Sequence, residues 1–558
     1  MEQSSDVEAS KYSELSPFQL KDELIKWARD FTQQKAATHG FLNAGRGNPN
    51  WVATTPREAY FLLGQFALQE CTRVWDQPDL GGMPHADGIA DRLRAHLDGA
   101  PGAGADLLRR GVEYGMGTLG FTPDPFVHEL VDGIVGDNYP VPDRMLVHAE
   151  VVVRKFLDKT MYAGRPPGGR FDLFAVEGGT AAMCYVFRSL MANRVLARGD
   201  TIALGTPIFT PYLEMPRLED YSLETIEIKQ SEMVNGRHVW QYPDSEIAKL
   251  EDPRIKAFFL VNPSNPASFA MRDQTRQRIV ELVRTKRPDL IILTDDVYGT
   301  FVDGFRSLAA DLPHNTILVY SFSKYFGCTG WRLGVVSLHQ DNVIDRAIAQ
   351  LAEADRQLLH QRYANLTLDP ASIKFIDRLV ADSRDVALNH TAGLSLPQQV
   401  QMTLFSLFEL LDTGNTYQKR CQSIIHERFK ALFEALGVPL LDDPLQAGYY
   451  ADLDLEAWGR HHFGPEFADY LEAHHDPLEI VLALARKRGT VLLSGAGFDG
   501  PPWSARVSLA NLNTEEYAAI GRDLLDVANR AVELWQGNQN GNGNGNGNGN
   551  GNGKRRGT

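Results

Sequence analysis

TILVYSFSKYFGCTGWRLGVVSL, residues 316–338, holds two short unbroken apolar runs, TILVYS (316–321) and LGVVSL (333–338), joined by small and aromatic residues. Neither run alternates polar with apolar, so each reads as a strand buried on both faces. Similar runs recur at DLFAV (172–176), TIAL (201–204), IKAFFLV (255–261) and LIILT (290–294). Between several of them lie helical patterns such as RDQTRQRIVELVRTKR (272–287), whose apolar positions recur at intervals of three and four. Short apolar strands alternating with amphipathic helices predict an α/β fold: a mostly parallel central sheet with helices on both faces. Ligands bind such sheets outside the carboxyl ends of the strands, so the chemistry is expected just after each run.

The bulk properties narrow the field. Among 558 residues, 56 are basic and 71 acidic, a net charge of −15, which disfavours a nucleic-acid partner because neutralising phosphates needs a basic face. No run approaches the 18 or so apolar residues of a membrane span, and MEQSSDVEASKYSEL has no apolar signal region, so a cytoplasmic protein is expected. The four cysteines (71, 184, 328, 421) form no C-x-x-C pair and read as buried, reduced thiols rather than metal ligands or disulfides. His461, His462, His474 and His475 flank FGPEFADYLEA and read as a solvated helix surface; no metal site is expected.

Polar groups stand at the strand ends. After DLFAV come Gly178, Gly179 and Thr180, where a strand gives way to a helix; exposed N–H groups and a hydroxyl there suit a phosphate, and a tight packing turn is the alternative. After IKAFFLV, NPSNPAS (262–268) displays Asn262 and Asn265 on a backbone stiffened by two prolines, as donors or as a rigid turn. After LIILT come Asp295 and, three on, Tyr298: a buried carboxylate needs a cation or donor, such as a protonated ring nitrogen. After TILVY come Ser321, Lys324 and Arg332; the serine and arginine can donate to one phosphate and the lysine can form an imine with a carbonyl. Together these are the requirements of pyridoxal 5′-phosphate.

With NP-x-NP, D-x-x-Y and S-x-x-K followed by Arg eight residues on, the chain resembles the fold type I, class I/II aminotransferase family, over residues 42–511. The resemblance implies Lys324 as the lysine that binds the cofactor and shuttles the proton. It implies Asp295 at the ring nitrogen, Asn265 and Tyr298 at the ring's 3′-oxygen, and Gly179, Thr180, Ser321 and Arg332 at the phosphate. Phe209 of TPIFTPY matches the aromatic stacked on the ring, and Tyr139 of DNYPVPDRM loosely matches a tyrosine that reaches a neighbouring subunit's phosphate. Arg506 of WSARVSLANL matches the arginine that clamps the substrate α-carboxylate. At least a homodimer is implied, and the insertions suggest a larger homo-oligomer.

The implied layout has an N-terminal arm and the start of a small domain over 1–51 and a large cofactor-binding domain over 52–395. Helical insertions fall near 55–135 and 341–390. A smaller α+β domain follows over 396–536, then a disordered Gly/Asn tail over 537–558. Length, the insertions and LNAGRGNPNW, with Arg46 beside Gly47 in the substrate loop, resemble the aspartate 4-decarboxylases within the family. The implied reaction is conversion of L-aspartate to L-alanine and CO2, with aminotransferase activity toward keto acids at the side. A plain aminotransferase is the alternative, and a non-catalytic DNA-binding regulator on this fold lacks the basic recognition helix it would need.

Overall fold

The computed structural model describes residues 12, 15, 17–34, 39–234, 237–384, 393–440 and 443–543. Seven strands form the central sheet: β1 (Phe171–Val176), β2 (Thr201–Thr206), β3 (Glu224–Lys229), β4 (Ile255–Val261), β5 (Ile291–Asp295), β6 (Thr316–Ser321) and β7 (Gly334–His339). Their spatial order is β1-β7-β6-β5-β4-β2-β3, and β7 alone runs antiparallel to its neighbours. Because β7 is reversed, its first residue lies at the same sheet edge as the last residues of β1 and β6.

In β4 only Lys256 is exposed, which is why the run carries no alternation. Its successive side chains face opposite layers. Phe258 packs with Ile279 and Val283 of helix Asp273–Thr285, while Phe259 meets Phe187 of helix Gly179–Ala192 on the other face. Strand β3, ETIEIK, was not among the expected runs: it pairs only with β2 at the sheet edge and keeps polar residues in alternation, most of them partly exposed.

Helices Thr54–Val74, Ile89–Leu97, Ala103–Gly117 and Pro123–Val135 gather around a core of their own that includes Leu63, Phe66, Leu93 and Val127. Helix Leu396–Leu411 joins this core to the main one, giving Val400 and Leu404 to the first and Met402 and Phe405 to the second. A three-stranded antiparallel sheet (Tyr450–Asp454, Leu493–Ser494, Ser504–Ser508) anchors the C-terminal part. The N-terminal segment returns to it: Leu42–Asn43 pairs with Thr490–Val491, and Leu42 and Ala44 share a core with Leu484, Val507 and Ile520.

Three expectations need correction. Cys184 is exposed and Cys71 partly so, because on helix Gly179–Ala192 the buried face is Ala182, Met183, Val186 and Leu190, with Cys184 turned away. The last helix, Thr514–Gly543, continues into the stretch expected to be a disordered tail, since each residue added to a formed helix adds a hydrogen bond; residues 544–558 lie outside those described. The histidines flank two helices broken at Gly464 rather than one, and His475 is partly buried beside Glu479. Among the described residues no helix is long and apolar enough to cross a membrane.

Candidate active site

A cavity of about 810 Å³ opens at the carboxyl ends of the parallel strands, between the central sheet and the small sheet. The register of β7 builds one corner of it. Gly334 lies between Val176 of β1 and Ser321 of β6. A Cβ on Gly334 would stand 2.6 Å from Gly178 Cα, so only glycine permits this approach. Arg332, two residues earlier, is thereby laid against the start of helix Gly179–Ala192, donating to Glu177 O at 3.1 Å and Thr329 O at 3.1 Å. Its backbone is left-handed, with φ 56°, a conformation that costs a non-glycine residue about 1 kcal/mol or more. Gly179, Thr180, Ser321 and Arg332 all line the cavity, so a helix N-terminus, two hydroxyls and a guanidinium converge on one corner. This is an anion cradle.

Asp295 ends β5 on the cavity floor and is 6% exposed. Its Oδ2 accepts from Tyr212 Oη at 2.7 Å and its Oδ1 from Val297 N at 3.2 Å. Burial pushes its carboxyl up to about 6, against the pull of those two donors and of the Lys324 charge. Neighbouring Asp296, also raised by burial, to about 7, faces away from the site toward Thr294 and Ser307.

Lys324 Nζ donates to Gly47 O at 2.9 Å and makes no ion pair among the described residues. The chain around it is clamped from several sides. The Tyr325 carbonyl accepts from Trp51 Nε1 at 3.1 Å and Tyr417 Oη at 2.8 Å, while Tyr325 Oη donates to buried Glu409 at 2.8 Å. Arg57, on helix Thr54–Val74, donates to Phe326 O and Gly327 O. Helix Thr54–Val74 therefore braces the lysine loop.

The small sheet supplies the opposite wall. Arg506 is 4% exposed and sandwiched between the rings of Tyr450 and Phe498. Its Nη1 donates to Asn265 Oδ1 at 3.1 Å and its Nη2 to Gly45 O at 3.0 Å. Tyr298 Oη donates to Tyr450 Oη at 3.1 Å. Gly47 is pressed between these groups: a Cβ there would lie 2.8 Å from Tyr450 Oη and 3.1 Å from Lys324 Nζ. Gly47→Ala is expected to displace both and lower kcat/KM by about 10- to 100-fold, with the melting temperature little changed. Steady-state kinetics and thermal unfolding check this.

The other expected residues divide. Phe209 lines the cavity, edge-on to Tyr212. Asn262 does not enter it; its Oδ1 accepts from Met271 N and holds the loop. Ser268, left-handed at φ 65°, accepts from Tyr450 N, so a serine at this strained position ties the loop to the small sheet. Arg46 is exposed and does not line the cavity, although Gly45 and Gly47 do. Tyr139 stands outside it, 75% exposed. Sequence reasoning missed Tyr212, Tyr450 and the outer wall from helix Pro17–Gln34, which brings Leu20, Lys21 and Leu24. Only for Tyr212, three residues after Phe209 at the start of a short helix, was a local signal present.

In architecture the chain is similar to an aspartate aminotransferase double mutant from Thermus thermophilus, with a TM-score of 0.55 at 15% identity, covering 92% of this chain and 96% of that one. It is likewise similar to the Thermus thermophilus aspartate aminotransferase with maleate, with a TM-score of 0.53 at 15% identity, over 90% and 96% of the two chains. Fold and site together define an α/β aminotransferase-type protein. The model for "Aminotransferase class I and II" matches residues 176–519, and the protein belongs to that family. It is 48% identical over 525 residues to the "Bifunctional aspartate aminotransferase and L-aspartate beta-decarboxylase" of a Pseudomonas species, covering 94% of this chain and 97% of that one.

The family's cofactor is pyridoxal 5′-phosphate. The residues present fit it. The cradle of Gly179, Thr180, Ser321 and Arg332 matches a phosphate, buried Asp295 matches a protonated ring nitrogen, and among the described residues the Lys324 amine makes no ion pair that would compete for it.

Proposed function

We propose that the protein removes the β-carboxylate of L-aspartate as CO2, leaving L-alanine, with aspartate aminotransferase activity as a side path. What carries this reading is the end-to-end similarity to the Pseudomonas relative, across both insertions, together with a cavity that joins the cofactor-type floor to the buried cation Arg506.

When bound, the cofactor supplies a carbonyl that takes up an amine and a protonated ring that draws electrons from bonds at the amino acid's α- and β-carbons. Lys324 is the residue that would hold it covalently. Its phosphate would rest on Gly179, Thr180, Ser321 and Arg332, and its 3′-oxygen on Asn265 and Tyr298. Asp295 would keep the ring nitrogen protonated, and Phe209 would lie against the ring. Arg506, already fixed by Asn265 and Gly45, takes the substrate α-carboxylate in a bidentate pair. Lys324 Nζ then moves the proton at Cα. Leu20, Leu24, Leu493 and Phe498 make the outer wall apolar, and a carboxylate held there without a tight partner gains by leaving as neutral CO2.

Arg46, on the cavity-lip loop, is the residue assigned to steer the β-carboxylate. Arg46→Ala is expected to raise the KM for aspartate and shift the ratio of decarboxylation to transamination; if neither moves, the assignment is dropped. The four free cysteines, two of them not buried, suit the reducing cytoplasm, and Tyr139 is assigned to a neighbouring subunit's site in a homo-oligomer of at least two chains.

The deciding assay incubates the protein with L-aspartate and pyridoxal 5′-phosphate and follows alanine, CO2 and oxaloacetate. Alanine and CO2 formed in equal amounts without added keto acid are expected. Turnover only when a keto acid is supplied would make the protein a plain aminotransferase.

A further inference from the structure

Behind Arg506 lies a carboxyl group that none of the chemistry above uses. Asp452 is the direct partner of Arg506 in the antiparallel pair Tyr450–Asp454 and Ser504–Ser508, and residues directly opposite in such a pair send their side chains to the same face. Among the described residues, both carboxylate oxygens of Asp452 and the Nε of Arg506 are buried without a hydrogen-bond partner. The two terminal nitrogens of that guanidinium are committed to Asn265 and Gly45.

The groups around Asp452 are engaged elsewhere. Ser504 donates its hydroxyl to Pro501 O. Asp454, two residues along the strand, pairs with His238 and caps the next helix at Ala457 N. Asp443 and His461 line a small cavity that Asp452 also lines. Burial, with the nearby Asp454 charge, pushes the Asp452 carboxyl up to about 7, against the pull of the Arg506 and His238 charges. This acid stands directly opposite the cation assigned to the substrate carboxylate.

We propose that Asp452 is the internal counter-charge of Arg506: ionised while no carboxylate occupies Arg506, and protonated from solvent when one does, so that substrate binding and proton uptake are coupled. The inference rests on the reading of Arg506 as the substrate-carboxylate site. One guanidinium balances one carboxylate; the arrival of a second makes the buried anion untenable and draws a proton onto it. The coupling disfavours binding as pH rises above the midpoint of Asp452.

The test uses the cofactor-loaded enzyme and maleate, a dicarboxylate with no amine to react. Calorimetric titration at pH 8 in buffers of different ionisation enthalpy counts the protons taken up. The cofactor's own protonation is followed by its visible absorbance and subtracted. The expected result is uptake of about one proton per site in the wild type, with affinity falling by up to about tenfold per pH unit above 7. In Asp452→Asn the uptake is expected to vanish and the affinity to become flat with pH. Uptake unchanged in Asp452→Asn overturns the inference. So does uptake that persists there but is lost in Asp454→Asn, because the proton then belongs to the His238–Asp454 pair. Should Asp452→Asn fail to fold, infrared difference spectra of the unaltered enzyme decide: maleate is expected to add a protonated-carboxyl band, and its absence overturns the inference. Arg506→Gln separates the two readings. Maleate binding is expected to weaken on the order of 100-fold. Undiminished binding overturns the role of Arg506 and this inference together, whereas weakened binding with uptake unchanged in Asp452→Asn overturns the inference alone.

Discussion

Lys324→Ala is expected to lower kcat/KM for aspartate by on the order of 10⁴, because the proposed function gives one amine the roles of both covalent anchor and mobile base. The loss should be chemical rather than structural. The loop around residue 324 is held by Trp51, Arg57, Tyr417 and the Tyr325–Glu409 bond, none of which involves the lysine side chain. Among the described residues, the only side-chain hydrogen bond given up is the one to Gly47 O, whose acceptor keeps Tyr449 Oη at 2.9 Å. The melting temperature of the cofactor-free variant should therefore match that of the wild type. Alanine and CO2 formation, measured beside thermal unfolding, checks both halves. A variant with normal folding and more than about a hundredth of the activity would remove Lys324 from its assigned role.

Asp295→Asn is expected to reduce turnover by about 10²- to 10³-fold while stabilising the cofactor-free protein above pH 6. The two effects share a cause. Burial raises this carboxyl from an ordinary 3.8 to about 6, so the folded chain binds its proton more tightly than the unfolded chain does. Well below pH 4 both states are protonated and nothing is lost. As pH climbs from about 4 to 6 the unfolded state ionises first, and the penalty for the buried anion grows to about 3 kcal/mol, then stays level. Asparagine carries no such charge. The variant should match the wild type near pH 4 and melt several degrees higher at pH 8. Once the cofactor is bound, its protonated ring nitrogen should relieve the wild type but not the variant, reversing the order. Thermal unfolding of both proteins, with and without cofactor, at the two pH values measures this. A cofactor-free Asp295→Asn protein less stable at pH 8 would mean that Asp295 is satisfied in some other way.

Much of the fold was legible because its strands are buried on both faces. DLFAV, IKAFFLV, LIILT and TILVYS need no partner to be recognised, since no solvent face interrupts them. ETIEIK at the sheet edge lacks that signature and was invisible. The cofactor end of the site was legible for a related reason. Its residues come in short motifs set at consecutive strand ends, so local spacing already places Asn265, Asp295, Ser321, Lys324 and Arg332 along one edge.

The groups that tune those residues were not legible. Tyr212 reaches Asp295 across 83 positions, Lys324 meets Gly47 across 277, and Arg506 meets Asn265 across 241. Pairs so distant leave no spacing to read. Nor does composition reveal that Cys184 is exposed or that the Asp452 carboxyl is buried opposite an arginine, because burial depends on which helix or strand covers a group. The amino-acid sequence by itself determined the α/β architecture and the set of residues fit for a phosphate, a ring nitrogen and an imine, because both arise from short-range order along the chain. Only the tertiary structure decided which charges face one another, and so how acidic Asp295 and Asp452 are, because Coulomb forces and desolvation act through space and follow distance and burial rather than position in the chain.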